Sequence, residues 1–162
     1  SVDCGRLCGS ICCTEWVKGV GMYLLPGEEV MFDRTEDWLD WQEHAAEVYE
    51  FCPGWQGTIY FVVCRGVCPR DRRPFACRTF PVSPYLTPGG LLELRLETAA
   101  VPVCPLVQAG DINLLDRRFL VRAMLAWEEL LREPLIREHV EWDSRCLDKL
   151  ADEPWPKLLS AF

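Results

Sequence analysis

The placement of cysteine constrains this chain more than any other feature. The stretch DCGRLCGSICC, residues 3–13, holds Cys4, Cys8, Cys12 and Cys13. The stretch CRGVCPRDRRPFACRTFP, residues 64–81, holds Cys64, Cys68 and Cys77. Seven of the ten cysteines therefore fall in two segments, 1–26 and 64–81, that show no sustained helical or strand periodicity. Segments without a hydrogen-bond ladder of their own need another restraint. Oxidation in pairs or ligation of a metal ion would supply it.

Size separates the two. Small secreted scaffolds are dense in disulfides because they cannot build a core. A chain of 162 residues, 49% hydrophobic, with 7 Trp and 7 Phe, can build one. The thiols are better explained as metal chemistry. Thiolates suit zinc, copper(I) and iron, and four of them close a tetrahedral site. Three residues separate Cys4 from Cys8, Cys8 from Cys12, and Cys64 from Cys68, which lets a loop wrap one ion. Cys12 and Cys13 are adjacent and in an extended segment would point to opposite sides, so one or two centres fit. Cys104, in VCPL, is the eighth candidate ligand.

Charge agrees with that reading. Residues 64–81 carry five arginines against Asp71, a local net charge of +4 in a chain of net charge −8. A divalent ion with four thiolates is itself anionic, and Arg73 and Arg78 are the candidates to offset it from just outside the ligands. The remaining cysteines differ. Cys146 lies beside Leu147 on an apolar helical face and reads as a structural thiol. Cys52, in FCPGW, follows no paired spacing. His44 and His139 read as surface or packing residues.

Periodicity gives a coarse architecture. Thr35 with acids at 36 and 37 suggests a short capped helix over 36–45, with Trp38 and Trp41 on one side. AEVYEFC and GTIYFVVC read as two strands around PGWQG, and LLELRLE, 91–97, as another. Residues 64–90 read as an ordered loop. Gly110-Asp111 opens a helix over 112–132, and Pro134 starts a second over 134–150. The fold class expected is α+β: a single small domain with a small antiparallel sheet, C-terminal helices covering it, and metal-tied cysteine-rich loops. The cysteine-rich part is 1–106 and the helical part 107–162.

RPFACRTFP, with Arg73, Pro74, Cys77, Arg78, Phe80 and Pro81, resembles the hallmark of the zinc- or iron-chelating family named for a CxxCxxCC cluster (YkgJ-like proteins). CGRLCGSICC is similar to that family's N-terminal cluster, with one more residue in each gap. LLPGEE, 24–29, and CPL, 104–106, resemble its flanking segments. The resemblance spans about residues 3–106 and implies metal binding, with zinc or iron as the ion. A related cysteine cluster accompanies some flagellin lysine methylases, and by analogy points to iron–sulfur chemistry.

Other classes are disfavoured. The acidic balance argues against nucleic acid and against an anionic membrane surface. No apolar run approaches the ~18 residues of a membrane helix. The N-terminus has no charged-then-apolar signal pattern, which points to the cytoplasm. GxGxxG, GxxxxGK[ST], GxSxG and HExxH are absent. The acidic run over 28–43 reads as a solvated face, and the tail DEPWPKLLSAF as a docking segment for a protein partner. The expectation is a cytoplasmic metal-binding protein holding zinc through Cys4, Cys8, Cys12, Cys13, Cys64, Cys68, Cys77 and Cys104. The alternatives are an iron–sulfur or non-haem iron redox protein or enzyme, and a disulfide-bonded exported protein.

Overall fold

A computed structural model describes Gly9 and residues 21–48, 51–65, 69–102 and 104–152. Cys4, Cys8, Cys12, Cys13, Cys68 and the tail DEPWPKLLSAF, apart from its first residue, lie outside the described residues. The expected α+β class is observed: two small antiparallel sheets with helices behind them.

The first sheet contains β1 (Met22–Tyr23), β2 (Leu39–Ala45) and β3 (Thr58–Cys64), in the order β1-β3-β2. The register pairs Met22 with Val62 and Leu39 with Cys64. One face gathers Leu24, Leu39 and Val62, with Met22, Phe32, Trp38, Trp41 and Tyr60 packed against them. The other face looks toward Ala46, Cys52, Trp55 and Ile59. The second sheet is a hairpin of β4 (Val82–Leu86) and β5 (Leu92–Leu96). Between the sheets in sequence lies a short helix, α1 (Phe75–Thr79), and after the hairpin another, α2 (Pro105–Gln108). Two longer helices finish the described chain: α3 (Arg117–Leu130), against β5, and α4 (Pro134–Asp152), against β4. Their core is Leu86, Trp127, Leu131, Ile136 and Val140.

Several local expectations need correction. Residues 39–45 are a strand, not part of a helix over 36–45. Thr35 bonds back to Asp33 through its N–H and hydroxyl, forming a turn instead of a helix cap. Aromatic and apolar residues then alternate, so Leu39 and Trp41 share the face that meets Cys64 and Val62 of β3. This strand, rather than AEVYEFC, is the partner of β3. Ala46–Val48 is a 3₁₀ turn closed by Ala46 N–H donating to the Gly57 carbonyl.

The expected loop over 64–90 contains α1 and the unforeseen strand β4. Pro84 does not prevent this strand because β4 pairs on one side only. The helix expected from residue 112 begins at Arg117. Asp111 caps a 3₁₀ turn at Ile112–Leu114, and Asp116 then caps α3 by accepting from Arg118 and Phe119 N–H. Pro134 opens α4 as expected. The apolar stripe of α4 is buried at Ile136 and Val140 but runs out to exposed Leu147 and Leu150, and Cys146 just before them is half-buried. Among the described residues no helix is long and apolar enough to cross a membrane.

Candidate functional site

The segment RPFACRTFP forms α1 and its flanks, and it is braced by LLPGEE. Gly27 takes a left-handed backbone (φ 82°), which turns the chain so that Glu28 points inward. The Glu28 carboxylate accepts from Phe75 N–H at 2.5 Å, on the first turn of α1, and from Leu25 N–H at 2.9 Å. Burial lifts the Glu28 pKa above the ordinary carboxylate range, while these hydrogen bonds and the Arg78 charge pull against the rise. Arg78 reaches backward: its guanidinium donates to the Arg73 carbonyl at 2.6 Å and the Asp71 carbonyl at 2.7 Å. Phe75 meets Trp127 edge to face, ring centroids 4.9 Å apart, which seats α1 on the helical core.

With α1 so fixed, Cys77 is half-buried and its Sγ lies 3.2 Å from Met22 Sδ of β1. Cys64 ends β3, also half-buried, on the sheet face shared by Met22 and Val62. Cys104 stands elsewhere. It is 5% exposed, among Ala100 and Val107, with Phe80, Leu96 and Leu106 around it. The structure thus brings Cys77 and Cys64 toward Met22 and puts Cys104 in an apolar cluster. No disulfide joins any two of the described cysteines. Among the described residues, no three His, Cys, Asp or Glu side chains form a group able to hold a metal. A closed four-ligand centre therefore has to draw on Cys4, Cys8, Cys12, Cys13 or Cys68. Cys64 and Cys77, half-buried residues at the β1–β3 edge, suit such a completion better than Cys104, which is buried in an apolar cluster.

Two arginines of this loop form ion pairs. Arg65 forms an ion pair with Asp40, and Arg72 with Glu36. Part of the arginine loop is thus stapled to the acidic run of residues 36–43. Arg34 continues that pattern: it pairs with Glu43 at 2.6 Å and lies over the Trp41 and Tyr60 rings. Arg78 braces the backbone beneath Cys77, and Arg73, half-buried, supplies one of the carbonyls it holds.

A second cluster of titratable groups surrounds the loop 51–57. Cys52 is 1% exposed, and burial next to the Glu138 carboxylate pushes its thiol up, so it stays protonated. His139 of α4 packs against both the Phe51 and Trp55 rings, centroids 5.4 and 5.2 Å away. Glu138 accepts from Gly54 N–H at 2.9 Å, and a Cβ at Gly54 would collide with that carboxylate. Cys52 and His139 read separately in the sequence, because 86 residues intervene and only the packing of the loop on α4 unites them. His44 lies on β2, not on a helix, and packs against Tyr23 and Phe61.

No model of a protein family, no curated protein and no solved structure matches this chain.

Proposed function

We propose that this chain is a metal-binding cysteine-cluster protein whose thiolates hold zinc or iron in one or two centres. The contact between LLPGEE and RPFACRTFP carries the reading. These two segments bear the resemblance to the zinc- or iron-chelating cysteine-cluster family, and they are far apart in sequence. Glu28 and Phe75 join them, and α1 then presents Cys77 beside β1. Met22 marks the point where the chain leading from Cys4, Cys8, Cys12 and Cys13 enters the sheet, and Cys68 follows Cys64 by four residues. Cys64 and Cys77, one on β3 and one on α1, are the described members of the second cluster that flank this sheet edge.

The chemistry such a centre supplies is set by its ion. Four thiolates around zinc make a closed, redox-inert site; iron, with or without sulfide, makes an electron-transfer or redox-active one. Glu28, Arg78 and the Arg73 carbonyl hold α1 so that Cys77 is presented at a fixed position. Elemental analysis and a visible absorption spectrum, on protein purified without oxygen, test the proposal. Bound zinc with no visible band supports a chelating or structural role. Iron with a charge-transfer band, above all with acid-labile sulfide, moves it to redox chemistry. Metal-free protein with few titratable thiols would overturn it in favour of disulfides.

A further inference from the structure

Met22 is a sulfur-bearing residue at the β1–β3 edge that neither cysteine spacing nor the family resemblance singles out. It faces Val62 across the antiparallel pair, so the two side chains share a face. Cys64 stands two residues along β3 from Val62 and therefore lies on that face too. Cys77 reaches it from α1, with Sγ 3.2 Å from the Met22 thioether sulfur. Three separate elements, β1, β3 and α1, deliver three sulfur-bearing side chains to the end where β1 begins and β3 finishes. Cys64 and Cys77 are half-buried residues.

Donor chemistry discriminates among ions here. Zinc sites take thiolate, imidazole and carboxylate. A thioether is a soft, neutral donor, and together with thiolate it selects copper(I). We propose that Met22, Cys64 and Cys77 form a soft-ion site in which the Met22 thioether is a ligand that favours copper(I) over zinc. This inference rests on the thiolate reading above and names the ion for one of its two possible centres.

Competition titrations on the reduced, oxygen-free full chain test it, with copper(I) partitioned against a chromophoric copper(I) chelator and zinc against a zinc-binding dye. Met22→Leu keeps volume and apolarity. It is expected to weaken copper(I) binding about tenfold or more, at least the loss seen when a supporting group around a metal is removed. Zinc affinity should stay within about twofold, since a thioether contributes little to zinc. Cys77→Ser should weaken both.

A second measurement does not depend on a variant folding. The chain has three methionines, so ¹³C-methyl labelling gives three resolvable signals. One, assigned to Met22, should shift several-fold further on adding copper(I), which binds its sulfur, than on adding zinc, which it only neighbours. Unchanged copper(I) affinity in Met22→Leu, together with a loss in Cys77→Ser, would overturn the role of Met22 while leaving the thiolate reading intact. A wild-type chain that takes up neither ion would overturn both.

Discussion

The hairpin β4–β5 and the three-stranded sheet are held by different means. The hairpin lies under α3 and α4, and its core is apolar throughout: Leu86, Trp127, Leu131, Ile136 and Val140. A single buried polar clamp supports it, in which Leu86 N–H donates to Ser144 Oγ and that hydroxyl donates to the Val140 carbonyl. The three-stranded sheet has a small buried set on each face and then reaches a margin of half-buried cysteines, the half-buried Glu28 carboxylate and Arg78 bonded to two carbonyls. The first region is held mainly by apolar burial. The second places polar and soft groups where burial would have been cheaper, which is the pattern of a site.

Substitutions can break this contrast. The largest effect belongs to the apolar region. Ile136→Ala should cost about 2–5 kcal/mol, read by urea denaturation, because the cavity cannot fully collapse between two helices and a sheet. Metal content per folded chain should not change. A parallel fall in metal content would show that the two regions are not separable.

Glu28→Ala comes next. It strands the N–H groups of Phe75 and Leu25 and should cost about 1.5–3 kcal/mol. Amide exchange should accelerate over Phe75–Thr79 and not in α4, and metal affinity should fall with it. If metal affinity were unchanged, α1 would not be the element that presents Cys77. Ser144→Ala removes the acceptor of the buried Leu86 N–H and should cost about 1 kcal/mol, with no change in metal binding.

The smallest effect is pH-dependent. His139 is 15% exposed, and burial lowers its pKa below the ordinary value of 6.5, with the Asp143 carboxylate opposing. The unfolded chain therefore takes up this proton at a higher pH than the folded one, so stability falls as pH drops through and below about 6.5. His139→Asn should flatten that slope in denaturant titrations at pH 7.5 and 5.5. A slope unchanged by the substitution would place the acid sensitivity in another group.

What the sequence made legible follows the same divide. The strand GTIYFVVC, the strand LLELRLE and the start of α4 at Pro134 were readable because each has a local signal: β-branched runs, alternation, and a proline at a helix start. The strand Leu39–Ala45 was hidden because the acids and Thr35 before it mimic a helix start, and the residues it pairs with lie 13 to 25 positions downstream. Asp116 outcompeted Asp111 as the cap of α3 for a reason visible only in three dimensions, the intervening 3₁₀ turn. In the site, Cys64 and Cys77 were legible from cysteine spacing, whereas Met22 was not. A methionine in an irregular N-terminal stretch carries no spacing signal, and only the β1–β3 register puts its sulfur beside Cys77. Arg65 and Arg72 were read by charge alone, and their acidic partners, Asp40 and Glu36, appear once β2 is a strand.

The most direct test of the central claim is metal stoichiometry, measured for zinc, iron and copper together, in the oxygen-free wild-type chain and in the double variant Cys64→Ser/Cys77→Ser. Thiolate ligation predicts at least one metal ion per chain in the wild type and a loss of at least one ion in the variant, with α3 and α4 still folded by circular dichroism. Equal metal content in the two proteins, or none in either after reconstitution, would contradict it.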